Sequence, residues 1–191
     1  GHSDVVGGAV VSADAADHEQ LAWWANCTGV TGSPFDAYLT LRGVRTLFAR
    51  VERQQATAGR IAELLNAHPA VKAVHYPGLT SHPNHALVAR QQAGPGAMLS
   101  FELAGGADAV RDLVETLEIF TLAESLGGVE SLIAHPASMT HAAMTPEQRA
   151  TAGIGDGLVR LSVGLEHVED LIADLSPALD AVVGQPEAAA A

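Results

Sequence analysis

The chain has 191 residues, 48% of them hydrophobic and 17% charged, so it carries enough apolar material for a buried core and is not an intrinsically disordered chain. Its formal net charge of −12 argues against nucleic acid or an anionic membrane as the main partner, because both demand clustered cations. With nine arginines and a single lysine, Lys72, an anionic ligand falls mainly to arginine, whose planar fork suits a carboxylate.

The lone cysteine, Cys27, cannot form an intrachain disulfide, and apolar runs such as "GGAVV" and "LVRLSVGL" are too short to span a bilayer, so a cytoplasmic protein is expected. The opening "GHSDVVGGAVV" has neither an initiator Met nor the charged and apolar regions of a signal peptide, and it reads as cut from a longer chain.

In chain order, the β-branched "DVVGGAVV" predicts a buried strand over Val5 to Val11. A short helix is expected from about Asp17 to Ala25, with one of the adjacent Trp23 and Trp24 in the core and Cys27 half-buried. Ser33 as N-cap and Pro34 at the first helical position start a second helix that should run to about Leu41. The longest helix is expected from Val44 to Ala67; its middle, "RQQATAGR", is polar, as in a helix bridging two domains, and a boundary is placed near Ala56.

Beyond it, "AVKAVHYPG" reads as a strand ending in a turn, and "SHPNHALVARQQAGPG" as a loop with a short helix. Strands are then expected over Ala97–Leu103, Leu117–Leu122 and Leu158–Gly164, and helices over Ala107–Leu117, after Pro146, and over Val168–Val183. This is a sheet of about four strands flanked by helices, an α/β or α+β layer arrangement. Residues 1–55 and 56–184 would form two domains, with 185–191 a loose tail.

Few residues invite chemistry. Arg160 sits in the apolar strand "GLVRLSVGLE", where a charge needs a partner; it is either an edge-strand arginine in a surface salt bridge or a clamp for a ligand carboxylate. Glu124 and Ser125 follow strand-like "EIFTLA" and precede "LGG", as either a loop whose serine caps a short helix or groups offered to a ligand. The histidines of "HPASMTH" and "HPNH" lack the further ligands of a metal site, and no nucleotide-binding glycine fingerprint is present.

The blocks "GHSDVVGGAVV", "GVTGSPFDAYLTLRGVRTL", "FTLAESLGGVESLIAHPASMTH" and "GIGDGLVRLSVGLEHVEDLIADL", spread over nearly the whole chain, resemble the Cys/Met-metabolism family of pyridoxal-phosphate enzymes. The resemblance implies a type I aminotransferase-like α/β fold, with the end of a large cofactor domain followed by a small C-terminal domain, and a homotetramer whose active sites borrow residues from neighbouring subunits. It places the Schiff-base lysine, and most other groups that hold pyridoxal 5′-phosphate, just upstream of Gly1, so no catalytic residue is expected in this chain. Lys72, in "PAVKAVHYPG", does not match that lysine.

By the same resemblance Arg160 holds the substrate α-carboxylate, Ser125 lies beside it, Glu124 is an acid near a distal amino group, and Asn26 corresponds to an active-site asparagine. The implied reaction is γ-replacement of the acyl group of an O-acylhomoserine by cysteine, with elimination or O-acylhomoserine sulfhydrylation as the rival reactions and a non-catalytic assembly module as the alternative if the N-terminal part is absent. An acid at 124 counts against members that cleave methionine, which carry an apolar residue there.

Overall fold

The computed structural model describes residues 1–185, which hold seven helices and five strands. The chain forms two compact units, the first Gly1–Phe48 and the second beginning at Ala49. Of the expected tail, all but Gln185 lies outside the described residues.

The first unit contains α1 (Ala15–Thr28) and α2 (Pro34–Val44). Asp14 caps α1 by accepting from the amides of Ala16 and Asp17, and Gly29, at φ 71°, ends it in the left-handed conformation. Ser33 caps α2 as expected, its hydroxyl accepting from Asp36 N at 3.0 Å, with Pro34 at the first helical position. The strand expected over Val5 to Val11 is absent: no strand lies among the described residues of this unit to take its backbone hydrogen bonds, and Val6, Val10 and Val11 are exposed. Neither tryptophan is in a core; Trp23 and Trp24 are both exposed and pack edge to face, ring centroids 4.8 Å apart. Cys27 is exposed as well, not half-buried.

The second unit holds most of α3 (Leu47–Ala67), then β1 (Val71–His75), α4 (His85–Gln91), β2 (Met98–Leu103), α5 (Gly106–Thr116), β3 (Thr121–Leu122), β4 (Leu132–Ala134), α6 (Pro146–Thr151), β5 (Leu158–Ser162) and α7 (Val168–Ala181). The sheet order is β1-β2-β5-β4-β3, with every neighbouring pair antiparallel except β3 and β4. Five strands thus replace the expected four. The addition is β4, three buried residues long, inside the stretch expected to be loop.

The strand expected over Leu117–Leu122 shrinks to β3 for a specific reason. The Asp174 carboxylate on α7 accepts from the amides of Glu118, Ile119 and Phe120 at 2.8, 3.0 and 3.1 Å, so those donors are taken before a neighbouring strand can use them.

One face of the sheet makes the core. Period-two alternation points Leu99, Phe101 and Leu103 of β2 and Val159 and Leu161 of β5 inward, beside Ile133 of β4. They pack with Ile61 and Leu65 of α3, Val110 and Leu113 of α5, and Leu171, Leu175 and Leu179 of α7. Each such side chain contributes about 1.5–3 kcal/mol through burial.

The polar middle of α3 has an inward face. Arg50, Gln54, Thr57, Ala58, Ile61, Ala62 and Leu65 are all buried, at three- and four-residue spacing, so the helix has a continuous inward stripe whose first half is polar.

A candidate substrate wall beside the central strand

Arg160 lies on β5, the middle strand of the sheet, in register with Ser100 of β2 and Ala134 of β4. The edge-strand salt bridge considered for it is therefore excluded by topology. Its own strand alternates, with Val159 and Leu161 buried in the core and Leu158 and Arg160 half-buried on the opposite face. Through a single nitrogen, Nη2, it donates to the main-chain carbonyls of Glu124 at 2.7 Å and Ser125 at 3.0 Å. Its Nε is buried and has no hydrogen-bond partner among the described residues. A cation anchored by neutral carbonyls keeps its charge, and its remaining donors suit a carboxylate.

The segment from Glu124 to Ser131 is held by side chains, not by a helix, so Ser125 is not a helix cap. Gly127 N donates to Ser162 Oγ at 2.8 Å, and Gly127, at φ 73°, adopts the left-handed backbone that its lack of a Cβ permits. Gln54 Nε2 donates to Gly128 O at 2.7 Å and to Val163 O at 3.0 Å. At the far end Glu166 accepts from both the amide and the hydroxyl of Ser131, each at 2.7 Å, and Ser131 Oγ accepts from Gly164 N at 2.9 Å. Gly164 must be small there, since a Cβ would collide with the carbonyl oxygen of Val129.

The structure thus brings Arg160 together with the backbones of Glu124 and Ser125, while the side chains of both remain exposed. Asn26 is an exposed residue of α1, in the first unit, with its carbonyl accepting from Gly29 N. Residue patterns do not single out Gln54, Ser131, Ser162 or Glu166. The only available signal is polarity inside apolar stretches, which does not by itself distinguish a buried anchor from a solvated side chain.

The "HPASMTH" segment forms its own turn. His135 bonds Ser138 Oγ through Nδ1 at 2.8 Å and Asp156 O through Nε2 at 2.9 Å, and Arg149 donates to Ala137 O and to the Asp156 carboxylate. No helix among the described residues is long and apolar enough to cross a membrane.

A central-strand arginine facing a glycine-turned loop, in a mixed α/β layer, is an arrangement suited to binding an anionic group such as a carboxylate. The family model described as Cys/Met metabolism PLP-dependent enzyme matches residues 1–180, and the chain belongs to that family. It is 55% identical over 175 residues to cystathionine γ-synthase of Escherichia coli (strain K12), covering 92% of this chain and 45% of the relative. It is 50% identical over 184 residues to L-methionine γ-lyase of Porphyromonas gingivalis, covering 96% of this chain and 46% of the relative. The crystal structure of cystathionine γ-synthase from Xanthomonas oryzae pv. oryzae in complex with aminoacrylate and cysteine superposes with a TM-score of 0.91 at 65% identity, over 97% of this chain and 48% of that one. The chain spans about half the length of the curated relatives it matches.

The described residues do not provide a covalent seat for the family's cofactor. Lys72 is exposed on β1, an edge strand separated from β5 by β2. The Arg160 guanidinium, with donors beyond those given to the two carbonyls, has the chemistry to take a carboxylate.

Proposed function

We propose that this chain supplies the substrate wall of a pyridoxal-phosphate enzyme with cystathionine γ-synthase activity, which replaces the acyl group of O-succinyl- or another O-acyl-L-homoserine with L-cysteine. The observation that carries the reading is the Arg160 guanidinium: half-buried on the central strand, tied to two carbonyls, with a buried Nε unpartnered among the described residues. Similarity to synthases from two bacteria supports the choice of reaction.

When bound, the cofactor supplies an electron sink that eases loss of protons next to the amino-bearing carbon. Arg160 holds the α-carboxylate, and the Cα–H bond thereby keeps one orientation toward the base. Ser125 places its hydroxyl beside that carboxylate, and Glu124 faces the distal end, where its charge favours an incoming amino acid with a cationic amine. Asn26, in the first unit, is in this reading the counterpart of the family's active-site asparagine. Residues 1–55 would close the cofactor-binding domain and residues 56–184 form the small domain, in a homotetramer.

Elimination from cystathionine is the second reading, favoured by similarity, at 47% identity and a TM-score of 0.88, to the structure of a cystathionine γ-lyase from Micromonospora echinospora. Steady-state rates on the cofactor-loaded protein separate the two. Synthesis of cystathionine from O-succinylhomoserine and cysteine should be faster than cystathionine cleavage; the reverse order would reassign the activity to a lyase.

A further inference from the structure

We infer that Gln54 is a positioning residue that sets the height of the substrate wall above the central strand. The inference rests on the reading of Glu124 to Gly128 as that wall.

Gln54 is 5% exposed and sits on α3 between Arg50 and the buried pair Thr57 and Ala58, so packing fixes its Cα. Its single amide nitrogen lies 2.7 Å from Gly128 O and 3.0 Å from Val163 O. Both carbonyls belong to buried residues of separate segments, one in the wall and one just past β5, and buried carbonyls need a donor. A primary amide meets the demand because one neutral nitrogen carries two hydrogens. A carboxylate would oppose both oxygens, an apolar side chain would leave both unpaired, and asparagine is one methylene shorter.

The wall between Glu124 and Gly128 is gripped at three places. Two grips come from β5: Arg160 on the carbonyls of Glu124 and Ser125, and Ser162 on Gly127 N. The third, Gln54 on Gly128 O, comes from a helix, and it holds the residue next to the left-handed Gly127 where the chain turns. Without it the remaining holds are those from β5 on residues 124–127 and Leu165 N on Val129 O, so the turn at Gly127 and Gly128 between them is free to tilt. Glu124 and Ser125 would then lose their fixed position relative to Arg160, and a site misplaced by even about 1 Å loses binding.

The test uses Gln54→Met, which keeps length and helix propensity, in the cofactor-loaded protein, with Gln54→Asn as the variant to score if the first does not fold. The expected result is a KM for O-succinylhomoserine raised about tenfold with kcat changed less than about threefold. Hydrogen exchange should also quicken at the amides of residues 127–131 while α7 stays as protected as in the parent. Unchanged KM and unchanged loop exchange in a folded variant would overturn the inference, as would a uniform rise in exchange across the unit, which marks a merely structural residue. Arg160→Lys, measured alongside, separates the two levels: if it leaves KM unchanged the wall reading itself fails, whereas a raised KM there with an unaffected Gln54 variant removes only the role of Gln54.

Discussion

Arg160 Nη2 lies 2.7 Å from the main-chain oxygen of Glu124, so the side chain proposed to grip the substrate α-carboxylate also fixes the backbone of the residue proposed to meet the incoming amino acid. Both binding positions are thereby measured from one guanidinium. Selectivity at the distal end should then depend on the Glu124 carboxylate, with its backbone position unaltered by side-chain substitution.

Glu124→Gln should keep the fold and the O-acylhomoserine KM, yet reduce the preference for cysteine over 3-mercaptopropionate, which lacks the amine. An exposed charge pair of this kind carries about a two- to fivefold effect. Competition between the two thiols, read by product analysis, checks it; an unaltered ratio would remove the amine-sensing role.

Ser131 is 1% exposed and bonded to Glu166 and to Gly164 N at once. Ser131→Ala removes the hydroxyl that serves two partners and leaves a carboxylate oxygen and an amide short of bonds. The expected loss is about 1–3 kcal/mol in urea unfolding. A loss below about 0.5 kcal/mol would mean that those partners find replacements.

Tyr76 provides a pH-dependent check on the core away from the site. It is 1% exposed, its hydroxyl donates to Gly96 O at 2.9 Å, and burial raises its pKa from 10.0 to about 12. The unfolded chain therefore releases this proton near pH 10 while the folded chain retains it. Its stabilising contribution is whole below about pH 10 and falls as pH rises toward about 12, by up to about 2–3 kcal/mol. Tyr76→Phe should be less stable at about pH 8 by about 1 kcal/mol and should lose this alkaline slope. Parallel slopes for the two proteins between about pH 10 and 12 would contradict the prediction.

What can be read from residues alone follows from how local each cause is. The Ser33–Pro34 helix start and the closing helix depend on neighbours a few positions apart, and they stand where expected. The strand expected at Val5 to Val11 fails because β-branching says how a segment would sit in a sheet, not whether a neighbouring strand exists. The third strand is shorter than its residues suggest because Asp174, far along the chain, claims the amides of Glu118 to Phe120. Gln54 is hidden in a run that looks solvated, since a polar residue does not announce that two distant carbonyls will converge on it. Arg160 stands out because a charge inside an apolar strand needs an explanation at any position.

The most direct test of the carboxylate clamp is the KM of Arg160→Ala for O-succinylhomoserine in the cofactor-loaded protein, with folding verified by circular dichroism. Loss of a charge-assisted contact to the α-carboxylate should raise KM by at least about tenfold, and Arg160→Lys should recover only part of it. A folded Arg160→Ala enzyme with the parent KM would contradict the clamp.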